Sequence, residues 1–129
     1  MVKYGFFKIL DGDFSEIVKK LENKLSEKGF GILTRINVAE KMREKLGKKM
    51  GKYLILGACD PAAAFSAIAA EPEIGLLLPC NAIIFENSDG KITVATIAPS
   101  VAMNFVKNPK IAPIAETIEK KLESAIAEL

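Results

Sequence analysis

Histidine and tryptophan are absent from this 129-residue chain, and cysteine occurs only twice. Without histidine, neither a Ser-His-Asp triad nor a Cys-His pair can form within one chain. Histidine-ligated metal and haem sites are excluded with them, and any other cofactor is unknown. Two cysteines fall short of a four-cysteine zinc site unless two chains share it. Nor do they make a disulfide scaffold, so reduced thiols in a cytoplasmic setting are the expectation. No apolar run approaches the ~20 residues of a membrane span. The stretch MVKYGFFKILDGDF lacks the form of a signal peptide: Lys3 and Lys8 interrupt its apolar part, which runs into Asp11 and Asp13. Excess charge is scarce too. A formal net charge of +2 is too small to mark a nucleic-acid partner.

What is present reads as one globular domain over residues 1–129, with 50% hydrophobic and 26% charged residues. Val2 to Ile9 is apolar, aromatic and bounded by Asp-Gly-Asp, which predicts a strand. Phe14, Ile17, Val18, Leu21 and Leu25 then share one helical face, with Asp13 placed to cap and Gly29 to stop the helix. Gly29 to Asn37 predicts a second strand, and Asn37 caps a helix over VAEKMREKL that ends at Gly47. Lys52 to Cys59 is the third strand. Asp60-Pro61, a capping residue followed by proline at the first helical position, opens a helix to Ala70. That helix is apolar almost all round, so it is either buried on several sides or covered by a second subunit. Leu76 to Asn87 and Lys91 to Ala98 predict two strands joined at Ser88–Gly90. Pro99 opens a short helix over SVAMNFV, and a last helix runs from near Pro113 to Leu129. The order β-α-β-α-β-α-β-β-α-α, closing on a hairpin, favours an α+β fold with helices mostly on one face of the sheet.

The segments EKGFGILTRINV, YLILGACDP and AEPEIGLLLPCNAIIFE, and the closing Asn-Pro and helix, resemble the domain of unknown function 302 family. The resemblance runs through nearly the whole chain in order. It implies a small α+β domain with a mainly antiparallel sheet, similar in topology to the TATA-binding protein. It also implies a homodimer of bacterial or archaeal origin, and no established activity. Topology shared with a DNA-binding fold implies nothing about DNA. Two departures stand out: Asp60 where the family pattern often has Asn, and a short, basic GKKMGK before the third strand.

Both cysteines lie at proline-bearing junctions. A thiolate at Cys59, just before a helix N-terminus, gains from the exposed N–H groups and the dipole. Asp60 at the cap repels it. Otherwise Cys59 is a small hydrophobe in a tight turn. Cys80 follows Pro79, which supplies no N–H to the sheet, and precedes Asn81, which can donate and accept. Twenty residues (60–79) separate the two cysteines. If their strands are antiparallel neighbours, they approach disulfide range, roughly 5–6 Å between Cα atoms; if not, they cannot meet.

The candidate ligand-binding residues are therefore Gly57, Cys59, Asp60, Pro61, Pro79, Cys80 and Asn81, with Glu73 as a further polar neighbour. Asp60 and Glu73 as an acid-base pair compete with a simple cap and a surface charge. No catalytic residue is assigned and no metal is expected. The basic run Lys41 to Lys52 reads as a solvated helix end and loop, and Met42, Met50 and Met103 as gap fillers. Three functions remain: a homodimer binding a small molecule, a thiol-based redox or sulfur-handling protein, and a structural dimerisation module.

Overall fold

The structure is a computed structural model that describes residues 2–129. Five strands form one sheet: β1 (Gly5–Leu10), β2 (Gly31–Asn37), β3 (Tyr53–Cys59), β4 (Cys80–Glu86) and β5 (Ile92–Ile97). Their spatial order is β1-β5-β4-β3-β2, and every neighbouring pair is antiparallel. β1 and β2 are thus the two edges. The helix between them, α1 (Phe14–Glu27), crosses the whole sheet. The remaining helices are α2 (Val38–Leu46), α3 (Pro61–Ala70), α4 (Pro99–Ala102) and α5 (Ala112–Ala127).

Local chemistry sets the element ends. Asp13 accepts from Glu16 N–H at 3.1 Å and starts α1. Asn37 accepts from Glu40 N–H at 3.0 Å and starts α2. Gly47 ends α2 at φ 65°, a left-handed conformation that favours glycine. The β4–β5 turn closes at Gly90, and Asp89 accepts from Lys91 N–H at 3.0 Å.

One sheet face carries the helical layer. Ile17, Leu21 and Leu25 of α1 and Ile118, Leu122 and Ile126 of α5 are buried against Leu56, Ile84, Ile92 and Val94 of the sheet. Each such side chain stabilises the fold by roughly 1.5–3 kcal/mol through burial alone. A second, smaller cluster joins Ala67, Ile74 and Ile111 beneath α3.

Three boundaries differ from the sequence pattern by three residues or more. β1 begins at Gly5 rather than Val2, since its partner β5 ends opposite at Ile97. Residues Pro72–Leu77 form a 3-10 turn, so β4 begins at Cys80 rather than Leu76, after the N–H-less Pro79. The Pro99 helix stops at Ala102, because Met103 and Val106 turn inward onto the second cluster. The apolar α3 is not enclosed by its own chain. Only Ala67 is buried, while Phe65 is 78% exposed.

The opposite sheet face has no helical layer. Residues alternate along a strand, so the register puts Phe7, Ile9, Ala95, Ile83, Phe85, Tyr53, Ile55 and Ile36 on this face. Tyr53 and Phe85 stack there with centroids 5.4 Å apart. The charged strand residues point the other way. Lys8 donates to the α5 carbonyl of Ala127 at 3.0 Å, and Arg35 pairs with Glu22 of α1. The open face is therefore largely apolar, with Thr34, Thr93 and Asn81 as polar members, and carries no strand charge among the described residues.

Candidate functional site

The β3–α3 and β4 junctions meet because β3 and β4 are antiparallel neighbours. Ala58 stands opposite Cys80, which places Cys59 one residue past the register position of Cys80. Both thiols are free. Gly57 stands opposite Asn81 and permits a close approach. A Cβ added there would come within 2.8 Å of Pro79 Cγ and would collide with Thr34 Oγ1. The Leu78–Pro79 peptide is cis.

Asp60 caps α3 as its sequence position predicts, accepting from Ala63 N–H at 3.3 Å through Oδ1. Its Oδ2 accepts from Lys121 Nζ of α5 at 2.9 Å. Burial works against its charge, but Lys121 and the N–H groups of Ala63 and Ala62 outweigh burial and hold its pKa below the ordinary value. Lys121 carries no local sequence signal for this role, since its partner lies sixty-one positions away.

Cys59, Asp60, Pro79 and Cys80 all line one small apolar cavity of about 40 Å³. Ala64 of α3, Met103 and Ile114 of α5 form much of its remaining wall. Sequence reasoning missed these residues, because they read as ordinary helix and core positions. The cavity shares Leu78, Pro79, Cys80, Pro99 and Met103 with a hollow of about 200 Å³ that also reaches Asn81. On its other side it shares Asp60, Ala63, Ile114 and Ile118 with a hollow of about 410 Å³ beside Lys121. Gly57 and Pro61 line none of the three, and neither does Glu73. Glu73 is exposed on the 3-10 turn, and the polar partner of Asp60 is Lys121.

The thiols are not activated. Burial, then the charge of Asp60, raises the pKa of Cys59. Burial, then the neighbouring Cys59, pushes Cys80 up to about 11. Thiols raised in this way are protonated at neutral pH, and the Asp60 carboxylate accepts from the N–H group of Ala63 at the α3 N-terminus. No group of three or more potential metal ligands stands together among the described residues.

Fold and junction together define a small α+β domain with an open antiparallel sheet and a proline-lined pocket at its β3–α3–β4 corner. The domain of unknown function family DUF302 matches residues 7–129, and the chain belongs to that family. It is also similar to the crystal structure of an uncharacterized conserved DUF302 protein from Bacillus stearothermophilus. The two share 25% identity and a TM-score of 0.89, with 98% of each chain covered. No curated protein matches the chain. Among the described residues no helix is long and apolar enough to cross a membrane.

Proposed function

We propose that the chain is a homodimeric module that binds a small apolar molecule, or the apolar end of a larger one, at the β3–α3–β4 corner. One observation carries this reading. Two segments separated by twenty residues deliver Cys59, Asp60, Pro79 and Cys80 to the same apolar cavity. Small-ligand sites combine such an apolar wall with few polar groups. At about 40 Å³ the cavity holds a few heavy atoms, well short of the ~150 Å³ that accepts benzene. The adjoining hollows give a longer ligand room to extend. Protonated thiols suit this role as soft, polarizable wall atoms. They disfavour the thiol-redox alternative.

The open sheet face supports the homodimer. A face of this kind, largely apolar and without strand charges, is a liability for a monomer. A second copy laid sheet on sheet covers it with like chemistry.

The test is retention of small molecules. Purified wild-type protein and an Ala64→Leu variant are each incubated with a small-molecule extract, washed and denatured, and the released species are weighed by mass spectrometry. The expected result is a species retained by wild type and lost when leucine fills the cavity. Retention of nothing by wild type would leave only the dimerisation module.

A further inference from the structure

A wide hollow lies away from the cysteine corner, between α1, α2 and the start of β3. It measures about 860 Å³, within the ~300–1,000 Å³ range of ligand clefts. It exists because α2 stands off from α1: α2 has no buried residue, and its packing is against β3. Phe14, Val18 and Leu54 give the cleft an apolar lining. Lys19, Arg43, Lys49 and Lys52 stand around it. None of these four cations makes an ion pair among the described residues. Lys52 Nζ lies 5.6 Å from the Phe14 ring centroid. The cleft holds two acids, Glu22 and Glu40. Glu22 is already neutralised by Arg35 in a two-pronged pair, which leaves Glu40 alone against the four cations.

We infer that this cleft takes an organic anion with an apolar body: a carboxylate, sulfonate or phosphate head on an aromatic or acyl skeleton. The head is attracted by the unpaired cations, and the body covers Phe14, Val18 and Leu54. Half of the basic run that reads in sequence as a solvated loop thus acquires a shared target, since Arg43, Lys49 and Lys52 converge with Lys19 of α1. A walled cleft favours a single molecule over a flat membrane surface.

The experiment titrates the protein with 1-anilinonaphthalene-8-sulfonate and, separately, with neutral N-phenyl-1-naphthylamine, while amide shifts are followed by NMR. The sulfonate should shift Val18, Lys19, Arg43 and Leu54. The double variant Lys19→Glu/Arg43→Glu should weaken it at least about five-fold, with the neutral probe little changed. Val18→Trp, which fills the floor and keeps every cation, should weaken both probes; circular dichroism confirms that each variant is folded. Sulfonate binding that ignores the charge reversals, or shifts confined to Ile55 and Phe85 of the open sheet face, would overturn the assignment. So would binding to phosphatidylglycerol vesicles with no binding of the soluble sulfonate.

Discussion

Replacing Asp60 separates two contributions that meet in one side chain. Asp60→Ala removes the cap on Ala63 N–H and the 2.9 Å contact with Lys121. Loss of a helix cap costs about 1 kcal/mol. The ion pair adds up to about 1 kcal/mol, because Lys121 is 40% exposed and partly screened. The sum is about 1.5–2 kcal/mol. With an unfolding entropy of about 2.1 cal/mol/K per residue, that lowers the melting temperature by about 6 °C. Asp60→Asn keeps a capping oxygen and loses the charge, so it should cost less than about 1 kcal/mol.

The pH dependence has a definite sign. The folded-state pKa of Asp60 is lowered, so its contribution is full above the unfolded carboxyl value and is lost as pH falls through the folded value. The gap between wild type and Asp60→Ala should therefore narrow below about pH 4. Thermal unfolding of the three proteins across pH is the assay. Equal losses for the Asn and Ala variants would show that the charge pair, not the cap, holds the start of α3. A pH-independent gap would refute the assignment of a paired, ionised carboxylate. The Asn variant carries a second readout. Removing the negative charge should lower the pKa of Cys59 while leaving the effect of its burial in place, visible as faster alkylation at a fixed mildly alkaline pH.

Other perturbations follow from the same geometry. Gly57→Ala places a methyl against Pro79 and Thr34 and should cost about 1–3 kcal/mol in a denaturant melt; an unchanged midpoint would mean that the β2–β3–β4 contact yields freely. Cys80 should resist iodoacetamide at neutral pH and react only as the pH approaches about 11, and rapid labelling at pH 7 would contradict its burial. Because that pKa is raised, the stability contributed by the neutral thiol is full below the ordinary value of 9.0 and should fall as pH rises through about 11. Thr96→Val should be neutral or stabilising by up to about 1 kcal/mol, since Thr96 Oγ1 is buried with no hydrogen-bond partner among the described residues. For the proposed sheet-to-sheet homodimer, wild type should scatter light as a dimer and Ile83→Lys as a monomer, while Phe65→Lys stays dimeric; the reverse result would move the contact to α3, and a monomeric wild type would refute the dimer.

Much of the fold was legible because its signals are local. The spacing Phe14–Ile17–Leu21–Leu25 marks the buried side of α1, and Ile17, Leu21 and Leu25 are indeed in the core. Asp60-Pro61 marks the start of α3, and Asp89-Gly90 marks the hairpin. Strand order was not legible, because nothing in β1 or β2 says that α1 carries the chain from one sheet edge to the other. The apolar α3 pattern did not distinguish its own core from a surface, and Phe65 and Ile68 lie outside. At the corner site, the two cysteine junctions were visible as punctuation in the sequence. Their meeting required the β3–β4 register. Lys121, Met103 and Ile114 come from distant segments and have no motif to announce them. The basic cleft depends on the gap between two helices, which no single segment encodes.

The corner pocket is tested most directly by an amide NMR titration with xenon, an uncharged apolar probe of a few ångströms, on wild type and on Ala64→Leu. The expected result is saturable shifts confined to Ala58, Cys59, Ala64, Cys80 and Ile114 in wild type, and their loss when leucine fills the cavity. Shifts that are absent from the corner, or that persist unchanged in Ala64→Leu, would contradict a ligand pocket there.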